Sequence, residues 1–110
     1  MARKDPLSEP LEVTQFVTEV GQRIRLMRRA RHLTQADLAL RADVSRLTVI
    51  AVEAGALSTR FSDIARLLWA LDDQSLQAAL ANAAQDAAYQ EAARGLVLGG
   101  KARRQIRGGR

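Results

Sequence analysis

The sequence predicts an all-α fold of five helices. Apolar residues recur at steps of three and four through most of the chain, the spacing that lines one face of a helix, and no segment alternates at step two over the length of a strand. Ser, Thr, Asp and Gly, the residues that start and stop helices, stand between the periodic runs. A length of 110 residues, 47% hydrophobic and 26% charged, suits one domain with a single modest core.

Residues 1–12 read as a flexible leader, because Pro6 and Pro10 oppose helix formation. From residue 13, Val13, Phe16, Val17, Val20, Ile24 and Met27 trace one helical face, with arginines mainly on the others. His32 marks the end of this helix, and Leu33 tucks back toward the core. Thr34 is a good N-cap for the second helix, and Asp37 sits where the helix dipole favours a carboxylate. Leu38 and Ala39 supply its inner face, and Ala42, Asp43 and Val44 form a short break. Ser45 caps a third helix whose inner face is Val49 and Val52 and whose end is Gly55. Phe61, Ile64, Leu67, Leu68 and Leu71 make a fourth amphipathic helix, with Ser62 and Asp63 at its start. Asp72 and Asp73 interrupt the pattern, so the main domain spans 13–72. Residues 73–94 are Ala-rich and helical by propensity, with a thin packing face of Leu76, Leu80 and Tyr89. Residues 95–110 are broken by glycine, basic, and expected to be a disordered tail.

The net charge of +5 is uneven. Residues 23–31 hold five arginines and no acid, and residues 101–110 hold Lys101, Arg103, Arg104, Arg107 and Arg110 and no acid. The stretches 1–22 and 32–100 are net acidic, at −2 and −3. Arg makes up 15 of the 17 cations, and its planar fork suits phosphate and guanine. A polyanionic partner follows from this distribution.

Enzyme chemistry finds little support. With no cysteine there are no disulfides, thiolate metal sites or thiol nucleophiles. His32 is the single histidine, no carboxylates form a recognisable pair, and Gly95, Gly99 and Gly100 lack the context of a phosphate loop. No catalytic residue, metal site or cofactor is expected. The absence of a long apolar run excludes a membrane-spanning helix and gives a cytoplasmic, nucleoid-associated protein as the default.

Two short helices joined by a tight turn form a helix-turn-helix, and residues 34–55, TQADLALRADVSRLTVIAVEAG, fit that pattern. The stretch from Val20 to Leu71, opening VGQRIRLMRRARHLTQADLALRADVSR, resembles the DNA-binding domain of the phage-repressor and Cro-like (XRE-type) family. Thr-Gln, Leu-Ala, the turn, Val-Ser, the Glu and the closing Gly fall at matching intervals over roughly half the chain.

The resemblance implies a repressor-like domain whose third helix enters the major groove of double-stranded DNA, while the second lies across the backbone. By the same resemblance, Ser45, Arg46, Leu47, Thr48, Ile50 and Ala51 occupy the base-reading positions, and Arg28 pairs with Glu53 to tie the first helix to the third. Arg46 can present two donors to guanine or contact phosphate only. Gln35, Arg23, Thr59 and Arg60 are expected at the DNA backbone, with Arg31 also helping to steer it; Arg25 and Arg29 are equally read as a solvated helix face. Leu47, Ile50 and Ala51 are apolar where polar readers are usual, so they touch thymine methyls, read sequence weakly, or lie under a partner. Asp43 and His32 replace glycines common in the family, and Asp tolerates the left-handed conformation better than most residues.

Family members usually act as twofold dimers on palindromic half-sites. Trp69, with Leu76 and Leu80, serves either a homodimer contact or packing of the fifth helix on its own domain. The tail cations Lys101, Arg103, Arg104 and Arg107 either contact phosphates without sequence preference or only solubilise the end. The expected function is transcriptional regulation, a repressor on an operator. Rival readings are an antitoxin that grips a toxin partner and represses its own operon, and a protein-interaction module with reduced DNA binding.

Overall fold

The computed structural model describes residues 9–106, with side chains through Leu96. All regular structure among them is helical: α1 (Leu11–Ala30), α2 (Gln35–Ala42), α3 (Arg46–Glu53), α4 (Phe61–Ala70), α5 (Ser75–Ala83) and α6 (Ala87–Ile106). The chain divides after Asp73 into two compact units. No helix among the described residues is long and apolar enough to cross a membrane.

In the first unit, α1 to α4 surround a core of Ile24, Leu38, Ala39, Ala42, Val49, Val52, Leu67, Leu68 and Leu71. α1 starts at Leu11, two residues before the expected helix start at Val13. Pro10 has no N–H to orphan, and its carbonyl accepts from the N–H groups of Val13 and Thr14 at 3.0 and 3.2 Å. Glu12 then lies in the first turn, with the sign the dipole favours. A 20-residue helix is about 30 Å long, whereas eight-residue α2 and α3 reach only about 12 Å. The first turns of α1 therefore outrun their partners. Val13 and Phe16, expected on the buried face, are exposed, and burial begins at Gly21 and Ile24. Phe61 is likewise exposed; it opens α4 at the edge of the face that Leu67, Leu68 and Leu71 bury.

The N-caps of α2 and α3 are local side-chain caps. Thr34 Oγ1 accepts from the N–H of Asp37 at 2.9 Å, and Asp37 Oδ2 accepts from the N–H of Thr34 at 3.0 Å, a capping box. Ser45 Oγ accepts from the N–H of Thr48 at 3.0 Å. The first four helices all stop on a residue in the left-handed conformation: His32 (φ 58°), Asp43 (φ 58°), Gly55 (φ 76°) and Asp72 (φ 56°). At each, the next N–H reaches back five residues, from Leu33 to the carbonyl of Arg28, Val44 to Ala39, Ala56 to Ala51 and Asp73 to Leu68. These are Schellman closures, which satisfy carbonyls the helix end would leave open.

The second unit departs from the expected single Ala-rich helix and open tail. Its helix breaks at residues 84–86, and α6 restarts with Asp86 Oδ1 accepting from the N–H of Ala88 at 2.8 Å. An Asp competes well for such a cap, and α5 buries no residue that would hold one straight rod together. The backbone then stays helical through Gly95, Gly99 and Gly100 to Ile106, so Lys101, Arg103 and Arg104 lie on α6 and not in an open tail. Each glycine costs about 1 kcal/mol relative to Ala, but the intervening Leu, Ala, Lys and Arg are good helix formers. Side chains beyond Leu96, and Arg107 entirely, lie outside the described residues.

Candidate nucleic-acid interface

The close seating of α3 begins with a glycine on α1. A Cβ on Gly21 would stand 2.1 Å from the carbonyl oxygen of Val52, so the α3 backbone presses on α1 where no side chain intervenes. The side chains of Val49 and Val52 fill the core beneath, and the turn at Asp43 and Val44 fixes α3 against α2.

A polar clamp holds the far end of α3. Arg28 Nε donates to Glu53 Oε2 at 2.6 Å, Arg28 Nη2 donates to Glu53 Oε1 at 3.0 Å, and Arg28 Nη1 donates to the Leu33 carbonyl at 2.7 Å. Gln35 Nε2 adds a bond to Glu53 Oε1 at 3.2 Å. The Glu53 side chain is 4% exposed, so its charge is almost fully removed from water and balanced by Arg28. Only the amide nitrogen of Gln35 can donate to that carboxylate, which leaves one further N–H for another acceptor.

The near end of α3 is open. Ser45, Arg46 and Leu47 are exposed, Leu47 to 74%, while Thr48, Ile50 and Ala51 are half-buried. Arg46 makes no hydrogen bond or ion pair with any described residue. Ser45 Oγ and Thr48 Oγ1 lie 2.9 Å apart, so one hydroxyl hydrogen is spent between them and the other stays available.

Beside this end runs a groove of about 430 Å³ between α3 and the start of α4, lined by Leu47, Thr48, Ala51, Ser58, Thr59, Arg60 and Asp63. It brings three of the expected base readers together with both expected phosphate residues of the 58–60 loop. Thr59 donates its hydroxyl to the Ala56 carbonyl at 3.0 Å, so in this conformation that donor is committed within the loop.

Arg23 also needs correction. Its Nε and Nη2 donate to the two carboxylate oxygens of Asp73 at 2.7 and 3.1 Å. The Asp73 side chain is 4% exposed, and this bidentate pair, by hydrogen bonding first and charge second, raises the Arg23 pKa. Arg23 thus ties α1 to Asp73, just beyond α4, with Nε and Nη2 both committed to that carboxylate. Within the first basic block, Arg23 and Arg28 are neutralised by internal carboxylates, whereas Arg25, Arg29 and Arg31 remain exposed without a described partner. The steering field of α1 is weaker than its five arginines suggest.

Trp69 is 74% exposed on α4, and Phe61 and Ala65, eight and four residues before it, are exposed on the same face. In α5, Leu76 is half-buried and Leu80 exposed. The described residues contain no cluster of three or more potential metal-ligating side chains.

The sequence singled out neither Gly21, nor the Arg23–Asp73 pair, nor Asp63 as a wall of the groove. A lone glycine inside a helical pattern is a usable signal of close backbone approach. Comparison with known proteins finds a match to the helix-turn-helix domain family over residues 19–73. No curated protein and no solved structure matches the chain. The clamped, groove-flanked pair α2 and α3 is the motif in that match, and the chain belongs to the helix-turn-helix family of the XRE-like type, a family of DNA-binding domains.

Proposed function

We propose that the protein is a sequence-specific transcriptional repressor that binds a palindromic operator as a homodimer, with one α3 in the major groove of each half-site. The observation that carries this reading is the state of α3: one end is clamped by Arg28, Gln35 and Glu53, and the other offers an exposed Arg46 with no partner among the described residues. A rigid helix with an uncommitted guanidinium in its first turn suits bidentate contact with guanine O6 and N7. Arg25, Arg29, Arg31 and Arg60 supply sequence-independent attraction, and Gln35 has one N–H left for a phosphate. The exposed face of Phe61, Ala65 and Trp69 supports a twofold contact between copies, since a single small domain buries little DNA surface.

Selection of bound duplexes from a random pool tests this. The reading expects an inverted repeat with half-site centres about one helical turn, roughly 34–36 Å, or a multiple of it apart. Recovery of no enriched sequence contradicts it.

A second reading has its own support. The unit after Asp73 exposes Leu80, Tyr89 and Leu96 on helices with little internal packing, as suits a segment that grips a protein such as a toxin. A stoichiometric toxin co-purifying with the intact chain, and lost on removal of residues 74–110, would make it an autorepressing antitoxin.

A further inference from the structure

Asp63 is the one carboxylate on the wall of the groove beside α3, where an approaching phosphate would be repelled. Its side chain is only 15% exposed, and its Oδ2 accepts from Arg60 Nε at 3.4 Å. The Arg60 side chain is otherwise 79% exposed. A guanidinium held through Nε keeps its plane while its terminal Nη donors stay unused. Thr59, the neighbour expected to share phosphate binding, has spent its hydroxyl on Ala56. The groove thus relies on Arg60 more heavily than the sequence suggests, and on whatever sets the direction of Arg60.

We infer that Asp63 is a positioning residue for DNA binding: its carboxylate holds Arg60 through Nε so that the Nη groups face a backbone phosphate bordering the bases under α3. This rests on the DNA-binding reading and adds a role for an acidic residue in the interface. Ordering a long side chain on binding costs entropy, and a carboxylate that orders it beforehand reduces that cost. Without Arg60 the same carboxylate has nothing to orient and only repels phosphate.

The sign of its effect therefore depends on Arg60, and a double-mutant cycle reads that sign. The full-length chain, Asp63→Ala, Arg60→Ala and the double variant are titrated by fluorescence anisotropy against the duplex selected by the wild type, at several salt concentrations and below the melting temperature of each. Asp63→Ala alone is expected to weaken binding about two- to fivefold, the scale of an exposed ion pair. In the Arg60→Ala background the same change is expected to leave binding equal or tighter. Arg60→Ala is expected to reduce the slope of log K against log salt by about 0.9 per half-site, one phosphate contact. Tighter binding by Asp63→Ala in the wild-type background, or the same weakening with and without Arg60, overturns the inference while DNA binding itself stands. Failure of the wild type to bind any duplex at low salt overturns both.

Discussion

The carbonyl oxygen of Val52 occupies the space that a side chain on Gly21 would need, 2.1 Å from an ideal Cβ. Backbone meets backbone there, so no rotamer change can relieve a larger residue. Gly21→Ala should force α1 from α3 and cost about 1–3 kcal/mol, the scale of overpacking, despite the better helix propensity of alanine. Thermal unfolding checks it: for a domain of this size the midpoint should fall by at least about 4 °C, and an unchanged midpoint counts against the close approach.

The Arg28–Glu53 clamp predicts that charge alone is insufficient. Arg28→Ala leaves a buried carboxylate unpaired and should cost about 3–5 kcal/mol. Arg28→Lys keeps the charge but cannot reproduce the two-pronged contact with Glu53 together with the bond to the Leu33 carbonyl, so it should recover only part of the loss. Urea unfolding of the three proteins measures this; full recovery by lysine would reduce the clamp to a simple ion pair.

Three of the four left-handed helix ends are not glycine. His32→Gly, Asp43→Gly and Asp72→Gly should each stabilise by about 0.5–1 kcal/mol, the left-handed penalty less the greater chain entropy of glycine. Gly55→Ala should destabilise, since its φ is 76° and a Cβ would also meet Thr18 Oγ1 at 3.0 Å. Denaturant midpoints that move the other way at all three positions would contradict the conformations.

Acid should weaken the α2 cap. The Asp37 pKa is lowered, first by the hydrogen bond from the Thr34 backbone N–H, then by the Thr34 side chain, with Arg41 adding a smaller charge effect. A lowered folded-state value means the carboxylate stabilises the fold fully above the ordinary Asp pKa of about 3.9 and loses that contribution as pH falls through the lowered value. The stability difference between wild type and Asp37→Asn should therefore be largest near neutrality and shrink below about pH 4. A difference independent of pH would remove the ionised cap from the account.

Much of the fold is legible in the sequence because its signals are local. The step of three and four, Thr34 with Asp37, Ser45, and Gly55 each act within one or two turns and emerge at the expected helix ends. Long-range pairings behave differently. Arg28 with Glu53 is legible only through the family resemblance, and Arg23 with Asp73, 50 positions apart, has no local signature at all. The burial of α1 is misread at Val13 and Phe16 because periodicity states which face is apolar and not how far the partner helices extend. The break before α6 is missed because an Asp inside an alanine run cannot be told from a surface residue without knowing that α5 buries no residue. For the interface, the positions on α3 follow from the motif, but the commitment of the Thr59 hydroxyl and the place of Asp63 depend on a loop conformation that the sequence leaves open.

The central claim is that α3 reads bases through Arg46. The most direct measurement is the ratio of dissociation constants for a scrambled and a selected duplex, taken at one salt concentration with the wild type and Arg46→Ala. Base reading predicts that the substitution lowers this ratio about tenfold or more, as expected for loss of a bidentate guanine contact. An equal loss of affinity for both duplexes, with the ratio unchanged, would make Arg46 a phosphate contact and contradict the account.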